Sequence, residues 1–142
     1  MKRIICFICA LLLTAAVLAG CSGSNTRTVV TDSGTTINVE LDKLTFTRCI
    51  YKINDGEKAF IDGDKVAELF KKVDKLHSNE LTNPETGDNH VELTFVVPQG
   101  HCGHFVFYDN GVMSFSPSPK IGEVKWYAYN KDEYNNILDE LK

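Results

Sequence analysis

The residues best suited to chemistry form one short run, His101-Cys102-Gly103-His104. Imidazole and thiolate are ligands that zinc and copper accept, and a structural zinc site needs about four of them. No Cys-x-x-Cys or His-Glu-x-x-His motif accompanies the run, so its spacing is not diagnostic of a metal. Two interpretations stay open: a metal-binding or metal-delivery site formed by His101, Cys102 and His104, and a polar turn between two strands, which the spacing favours.

No motif indicates covalent catalysis. Cys102 stands beside two histidines, but sequence neighbours rarely point at one another, and a catalytic histidine usually comes from elsewhere in a fold. The chain has no Gly-x-Ser-x-Gly motif, and Ser116 and Ser118 have no lysine three residues later. The sequence therefore predicts no catalytic residue, no cofactor and a non-enzymatic protein. An envelope hydrolase without a recognisable motif is the alternative.

Cys21 has a more specific context than any other cysteine. Two basic residues, Lys2 and Arg3, precede an uncharged, mostly apolar stretch over 4–19, and Leu-Ala-Gly-Cys follows at 18–21. As a helix the stretch would rise about 24 Å, short of the roughly 30 Å hydrocarbon core of a bilayer. A short apolar run behind basic residues is typical of a cleaved signal peptide.

The residues Leu18-Ala19-Gly20-Cys21 resemble the lipobox of bacterial lipoproteins. The resemblance implies that the Cys21 thiol receives a diacylglycerol, that a peptidase cuts just before it, and that the protein is anchored at the extracytoplasmic face of the cell membrane. We expect a signal peptide over 1–20, a polar tether over 21–36 and a single domain over 37–142.

Charge and the remaining cysteines limit the partners and the covalent links of that domain. The formal charge of −4 becomes −6 when the two basic residues of the signal peptide leave (−4 − 2), which argues against nucleic acid as a partner. Cys49 and Cys102 are the two thiols left after cleavage and lipidation. Outside the cytoplasm they could pair as a disulfide, whereas a reducing habitat would leave both free.

Hydrophobic periodicity predicts the elements that would position these residues. Apolar residues recur at helical spacing over 64–76 and again over 134–141, while they alternate with polar ones over 90–97. The order ββαβββα predicts an α+β fold, with a small antiparallel sheet of about five strands and two helices packed on one face. A lipobox, a polar segment and a domain of this kind resemble small Firmicutes lipoproteins of unknown function, so the resemblance implies no activity.

Asn110-Gly111 predicts a two-residue β-hairpin loop, which would place Tyr108 opposite Met113 and Val106 opposite Phe115. If the helices cover that face, four aromatic residues lie on the other one. They are Phe105, Phe107, Tyr127 and Tyr129. Such a surface would suit an extracytoplasmic protein or a glycan; the alternatives are a loop or tether covering it, and singly scattered aromatics. From the export and anchoring signals and the absence of a catalytic set, we expect a membrane-anchored, non-catalytic binding or accessory domain of unknown partner.

Overall fold

The computed structural model describes residues 25–142, so the predicted signal peptide and Cys21 lie outside the described residues. Within them, nine strands form one sheet and two α-helices accompany it. The strands are β1 Thr26–Thr31, β2 Thr36–Glu40, β3 Arg48–Ile53, β4 Ala59–Asp62, β5 Glu80–Leu81, β6 His90–Val97, β7 Gly100–Tyr108, β8 Val112–Ser116 and β9 Lys125–Ala128. The helices are α1 Asp64–Val73 and α2 Glu133–Glu140, and a 3₁₀ turn spans Leu41–Lys43.

The sheet runs in the order β4-β3-β6-β7-β8-β9-β5, and every strand pair is antiparallel. Strand β1 pairs with β2 and also with the start of β7. The predicted α+β domain with about five strands in the order ββαβββα is therefore wrong, because the described chain is mostly sheet. Strand β1 lies within the segment predicted as a tether, β2 begins at the last residue of that segment, and β5 has only two residues.

The segment predicted as a tether over 21–36 belongs to the sheet from Thr26 onward. Val29 and Val30 are buried, and a turn closes the β1–β2 hairpin, in which the Gly34 N–H donates to the Thr31 carbonyl at 2.8 Å. Threonine and valine favour extended backbone, so a polar composition did not mean an unstructured segment. The folded domain thus starts about ten residues earlier than expected.

Both helices pack on the same side of the sheet, which we call the inner face. The predicted helical stripe is confirmed, since Val66, Leu69, Phe70 and Val73 are all buried in α1. The Phe70 ring meets the ring of Phe95, on β6, edge-on at 5.0 Å between centroids. Tyr134 and Ile137 of α2 join the same core. The opposite side of the sheet, which we call the outer face, has no helix over it among the described residues.

The β7–β8 hairpin differs by one residue from its predicted register. Phe107 lies opposite Met113, and this leaves 109–111 as a three-residue loop. Gly111 has φ +86° and its N–H donates to the Tyr108 carbonyl at 3.2 Å, the arrangement of a type I turn followed by a left-handed glycine. A slip of one residue moves every side chain of a strand to the other face.

The predicted aromatic partner surface therefore lies on the inner face. Phe105 and Phe107 are 1% and 0% exposed, and Tyr129 is buried too. Tyr127 is half-buried and packs against the core. These four residues belong to or line the hydrophobic core, so the prediction that they form an exposed surface is wrong.

The cysteines of the domain are both buried and free. Cys49 lies on β3 and Cys102 on β7, with β6 between them. Neighbouring strands are about 4.8 Å apart, so two strand spacings separate the cysteines by about 10 Å. A disulfide needs Cα atoms within about 7 Å. The candidate Cys49–Cys102 disulfide is not formed, because an intervening strand keeps the two thiols apart.

We predict that neither thiol reacts in the native protein and that both react after unfolding without a reductant. Burial raises the pKa of both Cys49 and Cys102 to about 12, so almost no thiolate forms at pH 8. A disulfide-exchange reagent that releases a chromophore would count the thiols of the purified mature protein before and after addition of guanidinium chloride. Finding no reactive thiol in the unfolded, unreduced protein would contradict the prediction.

Candidate functional site

The outer face contains a cleft of about 370 Å³ over the middle of the sheet. Its floor is a row of side chains on three adjacent strands, where Ile50 of β3 lies across from Thr94 of β6, and Thr94 lies across from His104 of β7. Because each of these strands alternates its side chains between the two faces, the row faces away from the helices. A volume near 370 Å³ falls within the usual range for small-molecule sites.

A β-bulge brings two histidines into this cleft. Phe95 pairs with Gly103 while Val96 pairs with His101, so Cys102 is an extra residue on β7. Residues three apart on a regular strand point to opposite faces, but the extra residue restores the same face. His101 and His104 both line the cleft as a result.

Cys102 points away from the cleft and into the core. Of the predicted metal ligands, the structure therefore brings together His101 and His104 but not the thiol between them. Nowhere in residues 25–142 do three His, Cys, Asp or Glu side chains come together as a metal site. The set His101, Cys102 and His104 is not assembled, because the same bulge that unites the histidines turns the cysteine inward.

His104 is hydrogen-bonded through one ring nitrogen and lines the cleft. Its Nδ1 lies 2.9 Å from the Oγ1 of Thr94, a buried residue. Burial lowers the pKa of His104, an effect that Glu92 partly offsets, so the ring is neutral near pH 7. Because His104 lines the cleft, its imidazole can contact a bound molecule.

Charged side chains surround the cleft, three lysines against two acids. They are Lys52, Lys58, Lys120, Asp32 and Glu92. Glu92 lies across from Lys52 in register, and one of its carboxylate oxygens is 3.5 Å from the Nε2 of His90. None of the ion pairs formed within residues 25–142 includes a lysine of this set. The rim therefore carries ammonium groups that are free to meet an anion.

One wall of the cleft is apolar and consists of Val30 on β1 and Ile121 in the loop after β8. The loop is held by side-chain hydrogen bonds: the Ser116 hydroxyl donates to the Ser118 carbonyl at 2.9 Å, and the Lys120 N–H donates to the Ser118 hydroxyl at 3.3 Å. The Ile121 side chain reaches the turn of the β1–β2 hairpin at Gly34. Ile121 is 43% exposed, which leaves apolar surface available to a ligand.

The outer face also carries aromatic residues that the sequence-based register had placed beneath the helices. Tyr108 and Trp126 are half-buried there, with ring centroids 6.2 Å apart, and His90 lies 5.6 Å from Tyr108. Asp109-Asn110-Gly111 contains the signal that could have found them, because glycine at the third position suits a three-residue loop as well as a two-residue one.

The arrangement provides ammonium groups, a neutral imidazole and a hydroxyl beside apolar side chains. Such groups can form hydrogen bonds and apolar contacts with a bound molecule. Across residues 25–142, no helix combines the length and the apolar character needed to cross a membrane. Compared with known proteins, the chain matches no protein-family model, no curated protein and no solved structure.

Proposed function

We propose that this protein is a lipid-anchored lipoprotein of the extracytoplasmic face of the cell membrane, and that its folded part is a non-catalytic binding domain. Binding takes place on the outer face of the sheet. The observation that carries the proposal is the cleft on that face, which combines unpaired lysines, two histidines and apolar side chains on a sheet whose two α-helices within residues 25–142 pack on the other side.

The anchor is supported by the sequence around Cys21. Leu18-Ala19-Gly20-Cys21 has the lipobox pattern, and two acyl chains hold a protein to a bilayer stably where one chain would exchange. Strand β1 begins at Thr26, five residues after the anchor. A chain spans at most about 3.6 Å per residue, so the domain would lie within about 18 Å of the lipid. Its partner would therefore be met close to the membrane surface.

The binding role is supported by how the cleft is built. A regular strand cannot show His101 and His104 on one face, and the bulge that allows it interrupts the pairing of the two central strands β6 and β7. Bulges re-aim side chains and are over-represented next to active sites. The buried Thr94 hydroxyl then fixes the ring of His104.

Lipid labelling tests the anchor. Cells expressing the full chain would be fed a labelled fatty acid, and we expect label in the wild-type protein and in Cys6→Ala, because Cys6 leaves with the signal peptide. Cys21→Ala should carry no label, because it has no thiol to receive the lipid. Label retained in Cys21→Ala, or an unmodified N-terminus in the mass spectrum of the mature wild-type protein, would refute the anchor.

A further inference from the structure

We infer that the outer-face cleft binds a small organic anion, a carboxylate or a phosphomonoester with a short apolar body. The inference deepens the proposed function and rests on the binding role proposed there. It does not depend on the lipid anchor, so the two can fail separately.

The sign of the ligand's charge follows from the charges around the cleft. Three lysines line the cleft against the carboxylates of Asp32 and Glu92, which leaves an excess of one positive charge, and none of the three lysines is in an ion pair within residues 25–142. The chain as a whole is acidic, with a formal charge of −4, so a locally cationic cleft stands out from its surroundings. An ammonium group that forms a hydrogen bond to a carboxylate or phosphate gives a stronger contact than a neutral donor does.

The position of the anion follows from His104. Its neutral ring keeps one N–H donor, and the Thr94 Oγ1, 2.9 Å from Nδ1, fixes the direction of the ring that lines the cleft. A fixed imidazole beside mobile ammonium groups defines where an acceptor oxygen binds. His101 lines the same cleft and places a second imidazole beside it.

The polarity and size of the rest of the ligand follow from the apolar side chains and the volume of the cleft. Ile50 forms part of the floor, and Val30 and Ile121 form one wall. A volume of about 370 Å³ admits a short chain or a single ring but not a large cofactor. A charged head at His104 and an apolar tail against Ile121 would satisfy both halves of the cleft.

Calorimetric titration of the purified mature protein in detergent micelles tests the inference with matched probes. The probes are hexanoate, butyl phosphate, the neutral hexanamide and the cationic hexylammonium. We expect hexanoate or butyl phosphate to bind at least tenfold more tightly than hexanamide, and the tighter of the two anions identifies the head group. Hexylammonium should not bind. Raising the salt concentration should weaken the binding, because Lys58 and Lys120 are exposed to solvent.

Lys→Gln variants inside and outside the cleft locate the site, because each removes one positive charge. Lys58→Gln and Lys120→Gln should each weaken anion binding about tenfold, the effect of losing one charge-assisted hydrogen bond. Lys71→Gln removes the same charge from an exposed position of α1, away from the cleft, and should leave the affinity unchanged. Equal affinity for hexanoate and hexanamide, equal effects of Lys58→Gln and Lys71→Gln, or no anion binding at millimolar concentration would overturn the inference. Loss of lipid label alone would leave it standing.

Discussion

Phe107→Ala should lower the free energy of unfolding by about 3–5 kcal/mol, the usual cost of removing a buried phenylalanine from a packed core. Phe107 is fully buried on the inner face, where its ring packs edge-on against Tyr129 at 5.2 Å. It also lies across from Val91 and from Met113, both fully buried. The surrounding side chains come from several strands and cannot all move in to fill the space. Urea denaturation at neutral pH would measure the loss.

Val106→Ala is the matched control, because Val106 is the neighbouring residue and points to the outer face. It is only half-buried, so losing its two methyl groups should cost about 1 kcal/mol. The register predicted from a two-residue hairpin loop would reverse the ranking, since it places Val106 under the helices and Phe107 outside. A larger loss for Val106→Ala than for Phe107→Ala would show that the faces are assigned incorrectly.

Elements whose hydrophobic pattern extends over many residues could be predicted from the sequence. The stripe of α1 and the alternation of β6 each extend over eight or more residues, and both elements form where the pattern places them. Long patterns tolerate local ambiguity, because no other arrangement buries the same set of side chains. Burial of Val91, Leu93, Phe95 and Val97 follows from that alternation.

The register of β8 and β9 against β7 could not be predicted, because it depends on a single residue in a loop. Asn110-Gly111 fits a two-residue loop, and Asp109-Asn110-Gly111 fits a three-residue one. Both strands carry apolar side chains on both faces, so neither choice leaves an obviously wrong pattern: Phe115 and Tyr127 alternate with Val112 and Trp126. Only packing against the rest of the sheet selects the register.

The N-terminal hairpin was missed for a different reason, since its pairing partner is far away in the sequence. Val30 lies across from His101 on β7, about seventy residues later. Arg27 Nη2 lies 2.5 Å from a carboxylate oxygen of Asp74, just after α1, with its guanidinium over the rings of Phe70 and Phe115. Composition reports none of these contacts, and a segment rich in Ser, Thr and Gly resembles a linker until its partners are known.

The histidines of the candidate site could be identified from the sequence, but the β-bulge that brings them together could not. His101 and His104 were predicted as possible ligands from their residue type, and both line the cleft. The bulge that places them on the same face arises from the pairing of β6 with β7, which no local pattern encodes. The lysines come from three separate segments, so only the fold unites them.

Gly100→Ala should destabilise the domain by more than about 4 kcal/mol, placing it among the most damaging substitutions available. Gly100 begins β7 with φ +148°, and a Cβ there would lie 2.1 Å from the Val30 carbonyl oxygen and 2.8 Å from the Thr31 Cα. Both contacts are with backbone, which cannot rotate away as a side chain could. The alanine would therefore force β1 away from β7 at the Val30–His101 and Thr31–Gly100 pairs.

Gly63→Ala separates this clash from backbone strain. Gly63 also has positive φ, at +82°, but a Cβ there would meet nothing within 4 Å. It should cost only the strain of the conformation, about 1–3 kcal/mol. Hydrogen exchange would show the amides of β1 losing protection in Gly100→Ala and keeping it in Gly63→Ala. Because Val30, Thr31 and Asp32 form one side of the cleft, Gly100→Ala should also weaken hexanoate binding, whereas Gly63→Ala should not. Equal losses of stability and unchanged β1 protection would mean that the N-terminal hairpin is not held against β7.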